Sequence, residues 1–313
     1  MSNVIKGIVL NIIQKYKLEE CLHFDKKSCS GDIINAHSIQ NNRILDKISK
    51  DGHVMMFSYD LDINDMAMKR IGRKIATTFS GFCQYHDVKV FQPIESYDYD
   101  PTNQEQNCLF AYRALIKELY AKKRLYQIQL GIFAYVDNDT NIALLKGSKK
   151  GLEDLEYCLN KFKDIIENKK FGKIKNTIIE LDKDYQLAVC GAVNIEYDIY
   201  GLTVNNLHDH NEKPKPLFVN IFPQNNKTYI ILSVFEEDED IYSFLKSIET
   251  HEDKFTILTN LILCIENIAI SPDRWDNFSE DKKSKIINTF KSNIISSTDP
   301  NFLTKDLEGF FDE

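Results

Sequence analysis

Glycine is scarce in this chain, 12 among 313 residues, and tryptophan occurs once. No Gly-rich phosphate-cradling loop, no G-x-S-x-G elbow and no H-E-x-x-H helix is present, so the common nucleotide-loop, serine-hydrolase and metalloprotease chemistries have no foothold. No uncharged apolar run approaches the roughly 18 residues a membrane span needs. The N-terminal stretch is interrupted by Lys6, Asn11 and Gln14 among Val4, Ile5, Ile8, Leu10, Ile12 and Ile13, and reads as an amphipathic packing segment, not a signal peptide. Cysteine is neither dense nor even in number: seven residues spread from Cys21 to Cys264, which excludes a small disulfide framework. A cytoplasmic protein without a membrane partner is expected. A basic excess is missing too, and the net charge of −8 excludes a non-specific nucleic-acid coat.

That charge is uneven. Residues 1–125 carry 18 Lys and Arg against 15 Asp and Glu, whereas residues 126–313 carry 21 against 32. Only the first part suits a polyanion; the acidic second part suits a protein partner. Length and pattern together suggest two domains, 1–125 and 126–313. In the first, a short strand is expected over Asp32–Ile39, a short helix over Asn41–Ser49 and a strand from His53. A long helix is expected from Thr102 to about Arg124, with Thr102 as cap. In the second, Gly151–Lys170 is helical by spacing, and four strands are expected over Asn176–Leu181, Leu187–Tyr197, Leu217–Phe222 and Thr228–Phe235. Helices over Asp238–Glu249, Glu252–Ile268 and Ser279–Ile295 follow, then a tail that docks through Phe302, Leu307, Phe310 and Phe311. The fold class is α+β, with a mostly antiparallel sheet and covering helices in the second domain.

Chemistry concentrates between Cys21 and His86. Cys21 and Cys29 form a wide C-x7-C pair, and Cys83 and His86 a C-x2-H pair preceded by Gly81, whose freedom suits a tight turn. Two sequence-local pairs of sulfur and imidazole donors are what a tetrahedral structural Zn2+ site requires. The plainer alternative makes Cys21 and Cys29 ordinary residues and His86 a surface histidine. His37, in A-H-S-I-Q, either aims a reactive imidazole beside the site or replaces Cys21 as a ligand. Cys108, Cys158, Cys190 and Cys264 read as inert buried thiols. Lys69, Arg70, Arg73 and Lys74 read as phosphate contacts or as a solvated helix face. Arg113, amid Phe110, Tyr112 and Leu115, suits a buried partner for a carboxylate near the metal, and Glu95 reads as a solvated carboxylate. His208 and His210 are loop residues.

A-H-S-I-Q followed by G-F-C-Q-Y-H-D resembles the two halves of the HNH (ββα-metal) nuclease module on a treble-clef zinc scaffold, over roughly residues 18–120. The resemblance implies a treble-clef-like zinc domain with Cys21, Cys29, Cys83 and His86 as structural ligands. It implies His37 as the general base, and Asp87 as a ligand of a catalytic Mg2+ or Mn2+, with Asn41 or Asn42 orienting. The chain departs from that pattern in having Asp87 where a histidine is usual, a long intervening segment, and a second-knuckle helix that Phe91–Glu95 and Pro93 are expected to delay. Such modules serve restriction, mobile elements or bacterial defence against phage. The expected function is therefore a metal-dependent, HNH-like hydrolase of phosphodiester bonds; the alternative is a non-catalytic, zinc-stabilised module that binds nucleic acid or protein.

Overall fold

The computed structural model describes residues 12, 16–60, 65–135, 138–209, 211–295 and 299–311. Apart from Ile12, the amphipathic N-terminal stretch through Ile13 lies outside them, as do His210 and residues 61–64. Strand β1 (Ile33–His37) is followed by two helical turns, Asn41–Leu45 and Asp46–Ile48. A hairpin of β2 (His53–Asp60) and β3 (Asp65–Gly72) comes next, then β4 (Thr78–Cys83) and helix α1 (Gln84–Glu95). Two long helices follow, α2 (Gln104–Phe133) and α3 (Asp139–Glu167). The chain then builds β5 (Ile174–Leu181), β6 (Leu187–Val193), β7 (Leu217–Gln224) and β8 (Lys227–Phe235). It closes with α4 (Lys254–Ile262), β9 (Ile268–Ile270) and α5 (Glu280–Ile295).

The strands form two sheets. β1 pairs with β4 alone, and seven strands pair antiparallel in the order β3-β2-β9-β6-β7-β8-β5. Side chains alternate across a strand, and in the large sheet both sets are apolar. Phe218, Phe222, Ile231 and Phe235 pack towards α2 and α3, whereas Leu217, Val219, Ile230 and Leu232 pack towards α4 and α5. With both faces covered, the central strands read as continuous apolar runs, which is why their positions were legible. The architecture is thus three layers, helices on both sides of one antiparallel sheet. The border expected at residue 125 falls inside α2, and the sheet takes β2 and β3 from before it and five strands from after it.

Several expectations shift. α2 is capped by Asn103, whose side chain accepts from the Gln106 N–H, and runs nine residues beyond Arg124. The apolar stretch expected as one helix over Glu252–Ile268 ends at Ile262 and re-emerges as β9, inserted between β2 and β6. A short apolar run cannot distinguish buried helix from buried strand. The stretch Asp238–Glu249 contains only one α-helical turn, Leu245–Ile248. The tail docks as expected: Leu307, Phe310 and Phe311 are buried, and the Asn260 amide donates to the carbonyls of Leu303 and Lys305 at 3.1 and 2.8 Å.

Phe162 of α3 is fully enclosed, its ring 5.2–5.5 Å from those of Tyr112, Phe218 and Phe235. Phe162→Ala should lower unfolding free energy by about 3–5 kcal/mol, read as a fall in the urea midpoint with unchanged slope.

Candidate metal centre

The wide first pair is folded shut by its own loop. The Asp25 carboxylate accepts from the Lys27 and Ser28 N–H groups at 3.1 and 3.3 Å, a turn that brings Cys29 back towards Cys21. The segment is laid along β4 by Leu22 N–H to the Gly81 carbonyl at 2.8 Å and Glu20 N–H to that of Ser80 at 3.3 Å. Cys83 is the N-cap residue of α1 and His86 lies in its first turn, so a strand-to-helix junction presents both donors together. The expected delay of this helix does not occur: α1 starts at Gln84 and carries Pro93 inside its last turn. Gly81 does not make a tight turn either. It lies in β4, where a Cβ would stand 2.5 Å from the Phe79 ring, so glycine there serves ring packing.

The donor atoms of Cys21, Cys29, Cys83 and His86 all lie within 4.8 Å of one another. His86 Nδ1 is 3.3 Å from Cys21 Sγ, 3.6 Å from Cys29 Sγ and 3.3 Å from Cys83 Sγ. Tetrahedral zinc with Zn–S near 2.3 Å and Zn–N near 2.0 Å places sulfur and nitrogen about 3.5 Å apart, so the donors fit that ion. Nδ1 faces the sulfurs, which leaves the proton on Nε2, a buried atom without a hydrogen-bond partner among the described residues. Three thiols at this spacing resist ionising together without a cation. Burial and the neighbouring sulfurs push Cys29 up; burial opposes ionisation of Cys83 as well, but N–H groups of His86 and Ser30 bring it below the usual thiol range. Of the three sulfur-bearing side chains only that of Cys29 is exposed.

One histidine escaped the sequence reading. His23 is buried, packs against His86 with ring centroids 4.2 Å apart and planes tilted by 40°, and places Nδ1 2.8 Å from the hydroxyl of the enclosed Tyr112. Burial and the neighbouring His86 lower its pKa to about 3, so it packs as a neutral ring. The only hint was its place between the two cysteines, which suggests ligation more readily than packing.

His37 is not among the four clustered donors. It closes β1 opposite Thr78, with Nε2 3.2 Å from the Arg73 carbonyl. Donation to that carbonyl leaves Nδ1 as the free lone pair. Burial lowers its pKa. Asp87, in the first turn of α1, is half-buried, and burial raises its carboxyl while Arg113 and His37 pull it back. Glu95 is not a free carboxylate: it accepts from the buried Arg113 guanidinium at 2.6 Å, and Arg113 lies 4.2 Å over the Phe91 ring. Asn41 Oδ1 accepts from Arg73 at 2.9 Å, and Arg73 also pairs with Asp46 at 3.1 Å.

The basic run does not form a helix face. Lys69 and Arg70 are neighbours on the edge strand β3, where successive side chains point to opposite faces, and Arg73 and Lys74 lie in the turn that follows. Arg70 is tied to Asp51 at 3.3 Å and Lys74 is exposed. Charge on an edge strand discourages pairing with another chain, a role independent of any ligand. His208 sits in its loop, 3.9 Å from Glu196. Cys108, Cys158 and Cys190 are buried with pKa values pushed up to about 12 by burial, as inert thiols should be. Cys264 is only partly covered but is shifted to about 12 for the same reason.

Among the described residues no helix is long and apolar enough to cross a membrane. No family model, curated protein or solved structure matches the chain.

Purified protein should hold one zinc per chain by elemental analysis. Cys83→Ala and His86→Ala should lose it and melt at lower temperature, whereas Cys190→Ala should keep it. His37 titrates separately: the folded state resists protonation, so stability is full above the unfolded value near 6.5 and falls as pH drops below it. Proton NMR should place its midpoint below 6.5, and His37→Gln should flatten the fall in stability between pH 7 and that midpoint.

Proposed function

We propose that this chain is a zinc-stabilised nucleic-acid-binding module, with the ion structural. The observation that carries this reading is the closed donor set. Cys21, Cys29, Cys83 and His86 supply four protein ligands at tetrahedral spacing, which leaves no coordination position for water or substrate. Such an ion contributes folding energy, not chemistry. The charge balance suits a polyanion over the first 125 residues, which alone carry a net positive charge, and not over the acidic remainder. Lys74, in the turn that leads into β4, and Lys69, on β3 before it, are the candidate phosphate contacts.

A second reading, an HNH-like nuclease, is favoured by one further observation. The order of knuckle, strand, strand and helix brings His37 and Asp87 close enough for each to shift the other's ionisation. In that reading His37, neutral near pH 7, is the base, and Asp87 holds a Mg2+ or Mn2+ through oxygen. Arg113 neutralises Glu95 and so keeps that carboxylate from competing for the ion. Residues 126–313 would supply specificity or contact a protein partner.

Binding to DNA or RNA should weaken with salt, and Lys69→Glu with Lys74→Glu should reduce both affinity and salt slope, with no strand cleavage in Mg2+ or Mn2+. Cleavage that His37→Ala abolishes while zinc content stays at one per chain would instead establish the nuclease. No nucleic-acid binding at any salt would overturn both and leave a protein partner.

A further inference from the structure

The four clustered donors are not equally sheltered. Cys21 and Cys83 are only 6% and 1% exposed, His86 is buried with them, and His23 and Tyr112 pack behind. Cys29 alone of the seven cysteines is exposed, in a loop where Lys26, Lys27, Ser30 and Gly31 are exposed too. Its sulfur nevertheless lies within 4.8 Å of those of Cys21 and Cys83. A sulfur that meets solvent, with others directly behind it, is the arrangement of a redox-sensitive cysteine beside a resolving one. The remaining thiols lack that arrangement. Cys108, Cys158 and Cys190 are buried, and the partly covered Cys264 turns its thiol to the Asn260 carbonyl at 3.6 Å. The two sheltered sulfurs differ in how they are held. Cys83 is fixed twice, by pairing with Ile33 across β1 and β4 and by capping α1. Cys21 shares with Cys29 one short loop, whose turn at Asp25 already folds the two towards each other. A disulfide needs its Cβ atoms about 3.8 Å apart. The exposed loop supplies that movement more readily than the strand-to-helix junction does.

We propose, resting on the structural-zinc reading of the cluster and not on nucleic-acid binding, that Cys29 and Cys21 form an oxidation site for hydroperoxides. Oxidation joins them as a disulfide and frees the ion. As metal ligands both sulfurs are thiolates, because coordination deprotonates a thiol outright. The Cys29 sulfur attacks the terminal oxygen of the hydroperoxide: an S–O bond forms, the O–O bond breaks, and the departing oxyanion takes a proton from solvent. Cys29 is then a sulfenic acid. The Cys21 sulfur attacks the Cys29 sulfur next: the S–S bond forms, the S–O bond breaks, and hydroxide departs and is protonated to water. Two electrons pass from the two sulfurs to the peroxide, and two protons are consumed. Cys83 and His86 remain, two donors where a structural ion needs four.

The test uses the full chain, its zinc counted first, treated with a small molar excess of hydrogen peroxide beside a chromogenic zinc chelator. One zinc per chain should be released, the protein mass should fall by two hydrogens from that of the reduced metal-free chain, and peptide mapping should join Cys21 to Cys29. Dithiothreitol with added zinc should reverse all three. Cys29→His keeps four donors but no exposed sulfur, so it should hold its zinc and release it roughly tenfold more slowly or less readily still. Cys264→Ser should release zinc as the natural chain does. Where Cys29→His fails to hold zinc, the mapped pairing in the natural chain decides alone. A chain that holds no zinc before oxidation would sink the structural-ion reading and this site with it. A chain that holds one zinc and keeps it through peroxide would sink the redox site alone. So would zinc loss with Cys83 in the disulfide, or with Cys29 recovered as sulfinic acid and no disulfide.

Discussion

Three sulfurs and one imidazole nitrogen, supplied by segments as much as 65 residues apart, meet within 4.8 Å. The Cys21–Cys29 loop, β4 and α1 are brought together at that meeting. A cation held at its centre would turn mutually repelling thiolates into ligands and close a loop whose entropy the chain otherwise has to overcome. The surrounding packing is built to hold the donors still. Cys83 caps a helix and His86 lies under His23, which is held in turn by the Tyr112 hydroxyl on α2. The position of α2 is therefore read directly by the metal site.

The metal-bearing hairpin and the large sheet are interleaved. Between β1 and β4 the chain leaves, builds β2 and β3 onto the sheet edge beside β9, and returns. The Asn267 side chain ties the two together. The Asn267 amide donates to Ser38 Oγ and to the Cys190 carbonyl, both at 2.9 Å, and Ser38 Oγ donates to the Thr77 carbonyl. Residues 229 apart in sequence are thus locked within one turn of each other. Order imposed at the donor cluster reaches the sheet through this contact and through β2.

The parts of this arrangement legible in the sequence were those with a local chemical or periodic signature. The four donors could be named because sulfur and imidazole in paired spacing have few other uses, and Arg113 could be matched to a carboxylate because a guanidinium amid apolar neighbours needs one. β5 to β8 were legible because burial on both faces leaves unbroken Val, Ile and Phe runs. β9 was hidden within an apolar stretch that reads equally as helix, since its three residues become a strand only by finding β2 and β6. The extent of α1 was missed for a related reason: Pro93 signals termination, yet in the last turn its ring replaces only one N–H. The lysine and arginine run read as a surface because sequence spacing cannot show that Arg73 turns inward to Asn41 and Asp46.

A closed structural ion requires only that its four ligands be held. The setting of His37 is specified more tightly than that. The pairing of β1 with β4 is offset between Ile34 and Ala36, and Thr77, a β-branched residue, sits at a φ of 60°, in the left-handed region such side chains avoid. That conformation is held by the Ser38 N–H and hydroxyl on the Thr77 carbonyl and by the Thr77 hydroxyl on the Ile39 carbonyl. Local strain persists only where its surroundings over-determine it, and it gathers at positions that must be aimed. Here the aimed positions are His37 and the turn carrying Lys74, not any zinc ligand. The four-donor cluster therefore supplies the rigidity, and the face beside it, where His37 and Asp87 come within each other's field, is where recognition or chemistry has to be sought.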